Sequence, residues 1–410
     1  MIFRRRDIFA GALLGSLPVP RLMALAMAKE RLVITGFELF HVKVSARGNW
    51  LFVKLKTDKG LTGLGEASHG LIGVGIAPAN ADAPVLKLIP EFFQMVRGMS
   101  PFDVEAYRGR GWMKAKQGGR PATTAFSAIE QAMWDLAGKA LDAPVYDLLG
   151  GKVRDELEVY ANINRATNGD RSPEAFARNA RLVVEDGFQA VKAAPFDSVR
   201  TLSHPAEEVW ADIENGIACV AAIRKAVGSG VKVLIDCHSH FDRDLAITVA
   251  KRLEPMNLFW YEEPVDPVQT EDTAAIKRNI KQPLSGCEVF FGAEAFAPLL
   301  LNRALDVIMP DVKHCGGILE ARNIAALARL HGNTAVSPHN PSGPVATAAS
   351  IQICAGISNF NILEHAWREV PWSHDLVTPR EEFHGGKIRV PNTAGIGVVL
   401  NERVVMEHAV

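Results

Sequence analysis

The sequence predicts an α/β protein in which a parallel (β/α) barrel follows an α+β block. After Leu157, a short β-rich run and an amphipathic helix alternate along about 230 residues, which is the length that an eight-stranded barrel needs. Most of these runs end in an acidic residue or a histidine. A doubly wound open sheet is the alternative, but no glycine-rich phosphate loop follows the first run. The pattern therefore favours the barrel.

Length and composition exclude several classes of protein. The chain has 410 residues, of which 48% are hydrophobic and 22% charged, and this excludes disordered, collagenous and coiled-coil proteins. The net charge of −1 gives no reason to expect nucleic acid or an anionic membrane surface as a partner. The five cysteines are far apart and include no C-x-x-C pair, so neither a disulfide framework nor a zinc site is predicted.

Residues 1–28 have the order of an export signal. Three arginines, Arg4 to Arg6, precede a mildly apolar stretch from Ala10 to Val19, and the small residues of Ala26-Met27-Ala28 follow. This order is typical of twin-arginine signals and predicts a periplasmic protein, and the stretch is too short for a stable membrane span. A cytoplasmic protein that starts near Met27 is the alternative.

Residues 29–154 are predicted to form the α+β block. Two strands, one over residues 50–57 and one ending at Glu66, flank a turn at Asp58-Lys59-Gly60. Apolar residues at helical spacing predict a helix over residues 124–141. The pattern changes near Gly150-Gly151, and the barrel is assigned to residues 155–385. Its predicted strands are 157–161, 190–192, 231–236, 259–262, 283–288, 307–311, 334–339 and 361–364.

Six successive runs end in residues that can carry chemistry. Asp236, Glu262, Glu288, Asp311, His339 and Glu364 are 26, 26, 23, 28 and 25 residues apart, about one βα unit each time. The carboxyl ends of barrel strands meet at the mouth where barrel active sites lie. Asp236, Glu262 and Glu288 would repel one another there unless a hard cation bound them, and Mg²⁺ prefers such oxygen ligands. One Mg²⁺ is therefore predicted.

The remaining three residues suit proton transfer. A carboxylate beside an imidazole fixes its tautomer and raises its basicity, so Asp311 and His339 are expected to act together as a general base. Glu364, if it is kept protonated, could donate a hydrogen bond to a developing oxyanion.

Longer motifs resemble a known family. They are SAIEQAMWDLAGK at 127–139, LLGG at 148–151, YEEP at 261–264, PDV at 310–312 before Gly316-Gly317, and PHNP at 338–341 before Gly343-Pro344. In these motifs and in their order along the chain, the sequence resembles the mandelate racemase and muconate lactonising branch of the enolase superfamily, above all its acid-sugar dehydratases. The resemblance implies a (β/α)₇β barrel, one Mg²⁺, and removal of a proton α to a carboxylate. It also implies that residues 386–410 return to the α+β block, which is the capping domain of this family.

The resemblance also implies roles for further residues. Lys192 remains from a Lys-x-Lys pair whose second lysine is Ala194 here, and it is expected to neutralise the substrate carboxylate. His238, in Asp236-Cys237-His238, resembles the dehydratase histidine that protonates the departing hydroxyl. His240, which stands where several relatives carry arginine, His69 and Arg165 are expected substrate contacts. His314 and His365 are expected to be structural.

The function that follows is a Mg²⁺-dependent hydro-lyase that converts an aldonic or aldaric acid into a 2-keto-3-deoxy acid. Two alternatives stay open: an epimerase, racemase or cycloisomerase of the same superfamily, and an exported barrel that binds sugar acids without turnover. Asp311 and His339 argue against a mere binding protein, because such a protein needs no base. We expect a homo-oligomer with a small carboxylate substrate.

Overall fold

The computed structural model describes residues 32–45, 48–69, 81–201 and 205–410. The predicted signal segment, residues 1–28, lies outside them. The first element is an antiparallel sheet in the order β1 (Ile34–Ser45), β2 (Gly48–Thr57) and β3 (Thr62–Glu66). The predicted turn joins β2 and β3, and Gly60 has a φ of 79°, which glycine adopts without strain. Glu66, the last residue of β3, is fully buried.

Three helices cover this sheet: α1 (Ala83–Val96), α2 (Val104–Gln117) and α3 (Gly119–Ala140). The α3 helix contains the SAIEQAMWDLAGK motif and begins five residues before its predicted start. It packs so closely on β3 that a Cβ atom at Gly65 would lie 2.0 Å from the carbonyl oxygen of Ala128. The short helix α4 (Val145–Leu148) follows. The two glycines in β3 therefore set the distance between helix and sheet.

Eight parallel strands form a closed barrel. The first seven strands pair with one another in chain order, and the eighth strand pairs with the first. This closure excludes the doubly wound open sheet. Side chains alternate between an inner layer, which includes Tyr160, Leu234 and Trp260, and an outer layer under the helices. The strands are β4 (Glu156–Asn162), β5 (Ala190–Ala193), β6 (Lys232–Asp236), β7 (Trp260–Glu262), β8 (Leu284–Gly286), β9 (Val307–Ile308), β10 (Ala335–Val336) and β11 (Leu363–Ala366).

Helices surround the barrel between consecutive strands. Two of them begin at side chains that accept a free N–H group, Ser172 from Ala175 and Asp242 from Leu245. The helices are α5 (Pro173–Glu185), α6 (Ala206–Val227), α7 (Arg243–Leu253), α8 (Thr270–Asn279), α9 (Ala293–Leu301), α10 (Ile318–Leu330) and α11 (Pro344–Gly356). In the described part of the chain, no helix combines the length and the apolar character that crossing a bilayer requires.

Several strands end earlier than predicted. Glu288, Asp311 and His339 lie two or three residues beyond the ends of β8, β9 and β10. At β8 the reason is visible in the backbone, because Cys287 has a φ of 80°, a left-handed conformation that cannot continue a strand. These side chains therefore project from loops above the barrel mouth.

Two buried carboxylates of the capping domain bind barrel helices. Glu66 accepts the N–H groups of Gly343 and Ala346 at the start of α11, both at 2.8 Å. Glu130, in α3, accepts the N–H groups of Ile318 and Leu319 at the start of α10. The first N–H groups of a helix have no partner within it, and the side-chain oxygens of Glu66 and Glu130 accept from them. The two side chains therefore fix the capping domain to the barrel.

The C-terminal segment contacts both domains. Its first strands, β12 (Val377–Thr378), β13 (Phe383–His384) and β14 (Lys387–Arg389), lie beside the barrel, and β14 pairs with β4. The chain then forms β15 (Val399–Leu400) and α12 (Glu402–Glu407) and reaches β1, where the N–H of Val410 donates to His41. Residues 387–389 thus still belong to the barrel sheet, whereas the last residues join the capping domain.

Candidate active site

Three carboxylates meet at the mouth of the barrel. Asp236 and Glu262 end β6 and β7, and Glu288 projects from the loop after β8. One ligand oxygen from each lies within 4.8 Å of the others. The Oδ2 atom of Asp236 is buried and faces two nitrogen atoms, Nζ of Lys192 at 3.0 Å and Nε2 of His238 at 3.2 Å. An all-oxygen, anionic donor set of this kind fits a hard divalent cation such as Mg²⁺.

Lys192 lies among these carboxylates. Its Nζ atom is 3.0 Å from Asp236 Oδ2, 3.7 Å from Glu364 Oε1, and in hydrogen-bond contact with Glu262 Oε1. Burial disfavours the ammonium charge, but the three carboxylates outweigh it and hold the pKa of Lys192 well above its ordinary value. The expected cation is therefore present and lines the cavity at the mouth.

His339 and Asp311 form a hydrogen-bonded pair. The Nδ1 atom of His339 is 2.8 Å from Asp311 Oδ2, and its Nε2 atom is 3.2 Å from Glu288 Oε2. Asp311 also accepts from the side chain of Lys313 at 2.7 Å. Burial opposes its ionisation, but the charge of Lys313 and the hydrogen bond from His339 outweigh burial and hold the pKa of Asp311 below its ordinary value. An ionised Asp311 can only accept a hydrogen bond, so Nδ1 of His339 carries the hydrogen. The Nε2 atom is then the one that faces the carboxylate cluster.

His238 forms a second pair of the same kind. Its Nδ1 atom is 2.5 Å from Asp197 Oδ1, and its Nε2 atom is 3.2 Å from Asp236 Oδ2. Partial burial disfavours the imidazolium, but the carboxylates of Asp236 and Asp197 outweigh it and raise the pKa of His238 to about 10. The backbone of His238 has a φ of 44°, an uncommon conformation that turns the side chain towards the mouth.

Glu364, which is expected to donate a hydrogen bond to an oxyanion, accepts two hydrogen bonds in this structure. Its Oε1 atom accepts from Asn162 at 2.7 Å, and its Oε2 atom accepts from the N–H of Asn340 at 2.9 Å. Burial opposes ionisation, but Lys192 and His339 outweigh it and lower the pKa of Glu364. Through its bond with Asn340, Glu364 also holds the loop that carries His339. Its role as a donor stays a prediction.

The expected substrate contacts divide into two groups. His69 and Arg165 line a cavity of about 280 Å³ above the carboxylates, together with His238 and His339. Arg165 is paired with Glu369, and burial keeps the pKa of His69 well below its ordinary value, so His69 is neutral. His240 lies outside the lining of this cavity, and its Nε2 atom is buried without a hydrogen-bond partner. A contact of His240 with the substrate therefore stays a prediction.

The two histidines expected to be structural differ in position. His314 lines the cavity, where its Nδ1 atom is 2.9 Å from Thr124 Oγ1 of the capping domain. Burial lowers the pKa of His314 to about 3, so it is a neutral hydrogen-bonding group. His365 points away from the mouth and stacks on Phe188.

Sequence reasoning missed several residues of the cavity. Asp197 lies in the loop after β5, five residues beyond Lys192, and Asn162 and Asn164 lie at and after the end of β4. Their positions after predicted strands could have identified them. Arg120, near the start of α3, also lines the cavity, but it belongs to the capping domain and no strand-end pattern could have indicated it. Glu263 lies in the YEEP motif, and its Oε1 atom accepts from the N–H groups of Cys287 and Glu288.

Comparisons with known proteins agree with this geometry. Residues 39–150 match the model of the mandelate racemase/muconate lactonizing enzyme N-terminal domain, and residues 175–404 match that of the enolase C-terminal domain-like family. The chain is 31% identical over 375 residues to the D-xylonate dehydratase of Haloferax volcanii, covering 88% of this chain and 85% of that protein. It is 30% identical over 371 residues to the D-galactonate dehydratase of Pectobacterium atrosepticum, covering 88% and 91%. The crystal structure of a mandelate racemase/muconate lactonizing enzyme from Sulfitobacter superposes with a TM-score of 0.81 at 30% identity, covering 92% and 96%.

Proposed function

Because this chain belongs to the mandelate racemase and muconate lactonizing enzyme branch of the enolase superfamily, we propose that it is a Mg²⁺-dependent dehydratase of acid sugars. One observation carries the proposal. Two histidines, His339 and His238, each bind a carboxylate through Nδ1 and direct Nε2 at a different member of the carboxylate cluster, Glu288 and Asp236. A dehydration needs one base and one acid near a bound carboxylate, and this pair supplies both.

The first step is removal of the α-proton. The Nε2 atom of His339 takes the proton from C2 of the substrate, while Asp311 stabilises the imidazolium that forms. When bound by Asp236, Glu262 and Glu288, Mg²⁺ supplies positive charge beside the substrate carboxylate. Lys192 adds a second cation there. Preorganised charges of this kind make a weak carbon acid accessible, at about 3–4 kcal/mol for each donor to the oxyanion.

The second step is loss of the hydroxyl at C3. The electron pair from the broken C2–H bond forms the C2–C3 double bond as the C3–O bond breaks. His238 donates a proton from Nε2 to the departing oxygen, so that the hydroxyl leaves as water. The enol product then tautomerises to the 2-keto-3-deoxy acid, and no oxidant or reductant is required.

The test is a panel of acid sugars. We expect purified protein with Mg²⁺ to form a 2-keto-3-deoxy acid from at least one of D-xylonate, D-galactonate and its C4 epimer D-gluconate, detected by mass spectrometry as loss of water. The His339→Asn variant should form none. An epimerised sugar acid without loss of water would favour the epimerase alternative, and saturable binding without any product would favour a binding protein.

Two properties of the whole protein also remain proposals. The arginines at positions 4–6 and the apolar stretch after them support export, and cell fractionation with N-terminal sequencing would test it. The homo-oligomer can be tested by light scattering of the purified protein.

A further inference from the structure

We propose that Asp197 is a positioning residue for the elimination step, acting through His238 in the way that Asp311 acts through His339. The inference rests on the proposed function and deepens it. It assigns a role to a side chain that lies five residues after Lys192 and outside the strand-end series.

Asp197 is held from two sides. It is only 8% exposed, and its Oδ1 atom lies 2.5 Å from Nδ1 of His238. Its Oδ2 atom accepts from Nη2 of Arg171 at 2.7 Å. Both oxygens are thus occupied, and the carboxylate cannot rotate without breaking one of the two contacts.

Arg171 is itself fixed. Its guanidinium lies 5.0 Å from the ring centre of Phe176 and also donates to the carbonyl of Ala194. The side chain of Asn215, from α6, donates to the carbonyl oxygen of Arg171 at 3.2 Å. The chain from α6 through Arg171 and Asp197 to His238 therefore consists of packed and hydrogen-bonded side chains.

The arrangement around the other histidine has the same parts. Asp311 binds Nδ1 of His339 with one oxygen and the ammonium group of Lys313 with the same oxygen, while its Oδ1 atom accepts the N–H of Lys313. In both pairs a buried carboxylate with its own cation binds Nδ1 and leaves Nε2 towards the cavity. Since a carboxylate only accepts hydrogen bonds, Asp197 requires the hydrogen to be on Nδ1.

This requirement matters for the step in which the hydroxyl leaves. His238 must point Nε2 at the C3 oxygen, and after it has donated that proton it must be stable as the Nδ1–H tautomer. Asp197 favours both the orientation and that tautomer. An asparagine can turn its amide nitrogen towards Nδ1 and favour the opposite tautomer, in which Nδ1 accepts.

The test measures two reactions in one sample. The panel substrate that the wild type dehydrates is incubated in D₂O with Mg²⁺, and proton NMR follows exchange at C2 of the remaining substrate and formation of the keto acid. In Asp197→Asn we expect elimination to fall about 100-fold, the lower range for loss of a general acid, while exchange at C2 continues. The ratio of exchange to elimination therefore rises. Asp197→Glu, which keeps the carboxylate, should recover part of the elimination.

A double variant separates positioning from general structural damage. In a His238→Asn background, Asp197→Asn should cause no further loss of elimination, because its effect passes through His238. Asp306→Asn is the matched control. Asp306 also pairs with a cation, Lys277, and accepts a hydrogen bond, from the N–H of Leu284, but it lies at the opposite end of the barrel. It should leave the ratio of exchange to elimination unchanged.

The outcomes distinguish this inference from the function on which it rests. Failure of the wild type to dehydrate any substrate of the panel would contradict the proposed function and this inference together. Wild-type elimination by Asp197→Asn, an equal loss of exchange and elimination in that variant, or an undiminished effect in the His238→Asn background would overturn the inference alone.

Discussion

The Oε2 atom of Glu130, in the capping domain, accepts the backbone N–H of Ile318, the first residue of barrel helix α10, at 2.7 Å. The other oxygen accepts from Leu319 at 3.0 Å and from the indole of Trp134 at 2.7 Å. Helix α10 follows the loop that carries Asp311 and Lys313, so Glu130 helps to place the residues that orient His339.

This carboxyl group predicts a pH dependence of stability. Burial raises the pKa of Glu130 to about 8 in the folded protein, above the ordinary value of 4.5. Between these two values the folded state holds a proton that the unfolded state has released, so the free energy of unfolding should fall as pH rises, by up to about 1.4 kcal/mol per unit. Urea unfolding of wild type and Glu130→Gln at pH 5 and pH 8 would measure it. Equal pH slopes for both proteins would contradict the prediction.

The metal ligands predict a specific loss of affinity. Asp236→Asn removes the charge of one of three anionic ligands, and we expect Mg²⁺ affinity to fall by more than about 100-fold. Mutation of a residue that only hydrogen-bonds to a metal ligand already lowers metal affinity by about 10–100-fold. Isothermal titration with Mg²⁺ or Mn²⁺ gives the measurement. Glu158→Gln is the control, because Glu158 pairs with Lys232 at the far end of the barrel. Full activity after exhaustive chelation would refute the metal assignment.

The two histidines should have separable roles. With substrate in deuterated solvent, His339→Asn should abolish both exchange at the α-carbon and elimination, because both reactions begin with removal of the α-proton by His339. His238→Asn should reduce elimination to a small residual rate and leave exchange. If His339→Asn still dehydrates while His238→Asn loses exchange, the assigned roles are reversed.

Lys313 predicts a cost for breaking a buried ion pair. Its ammonium group is fully buried and binds Asp311 at 2.7 Å. Lys313→Met leaves that carboxylate with one fewer buried counter-charge, and the free energy of unfolding should fall by about 3–5 kcal/mol. Lys277→Met, which breaks a partly exposed pair with Asp306, should cost about 1 kcal/mol or less. Urea unfolding of the two variants makes the comparison, and equal losses would argue against the buried contact.

Close packing of the capping domain gives a steric prediction. The methyl group of Gly65→Ala would collide with the backbone of Ala128, so we expect a loss of about 1–3 kcal/mol or more. Gly109→Ala, within α2, meets no atom within 4 Å and should gain up to about 1 kcal/mol from higher helix propensity. Thermal unfolding of both variants tests the contrast. A tolerated Gly65→Ala would mean that α3 can move away from the sheet.

Much of this arrangement could be predicted from the sequence, because parallel strands bring their ends to one edge. The spacing of Asp236, Glu262 and Glu288 was enough to place them together, although Glu288 lies in a loop rather than at a strand end. The contacts of Glu364 could not be predicted in this way. They include Lys192 and the N–H of Asn340, and neither distance can be known before the chain is folded.

Side chains that enter the cavity from loops or from the other domain were also beyond sequence reasoning. Asp197 follows its strand by several residues, and only the observed turn brings it to His238. Arg120 reaches the cavity from the first turn of α3. The apolar periodicity of α3 indicates that the helix packs on the sheet, but it does not indicate that the first turn faces the cavity.

The contact between the last residue and β1 has a consequence for the order of events during synthesis. The N–H of Val410 donates to His41, and the N–H of Lys43 donates to His408, so the edge of the first strand is completed by residues that are synthesised long after it. The barrel also closes late, when β11 reaches β4. A nascent chain therefore carries two open sheet edges through most of translation, and such edges can pair with other chains. Native assembly of both domains must wait until β11 and residues 408–410 have been synthesised.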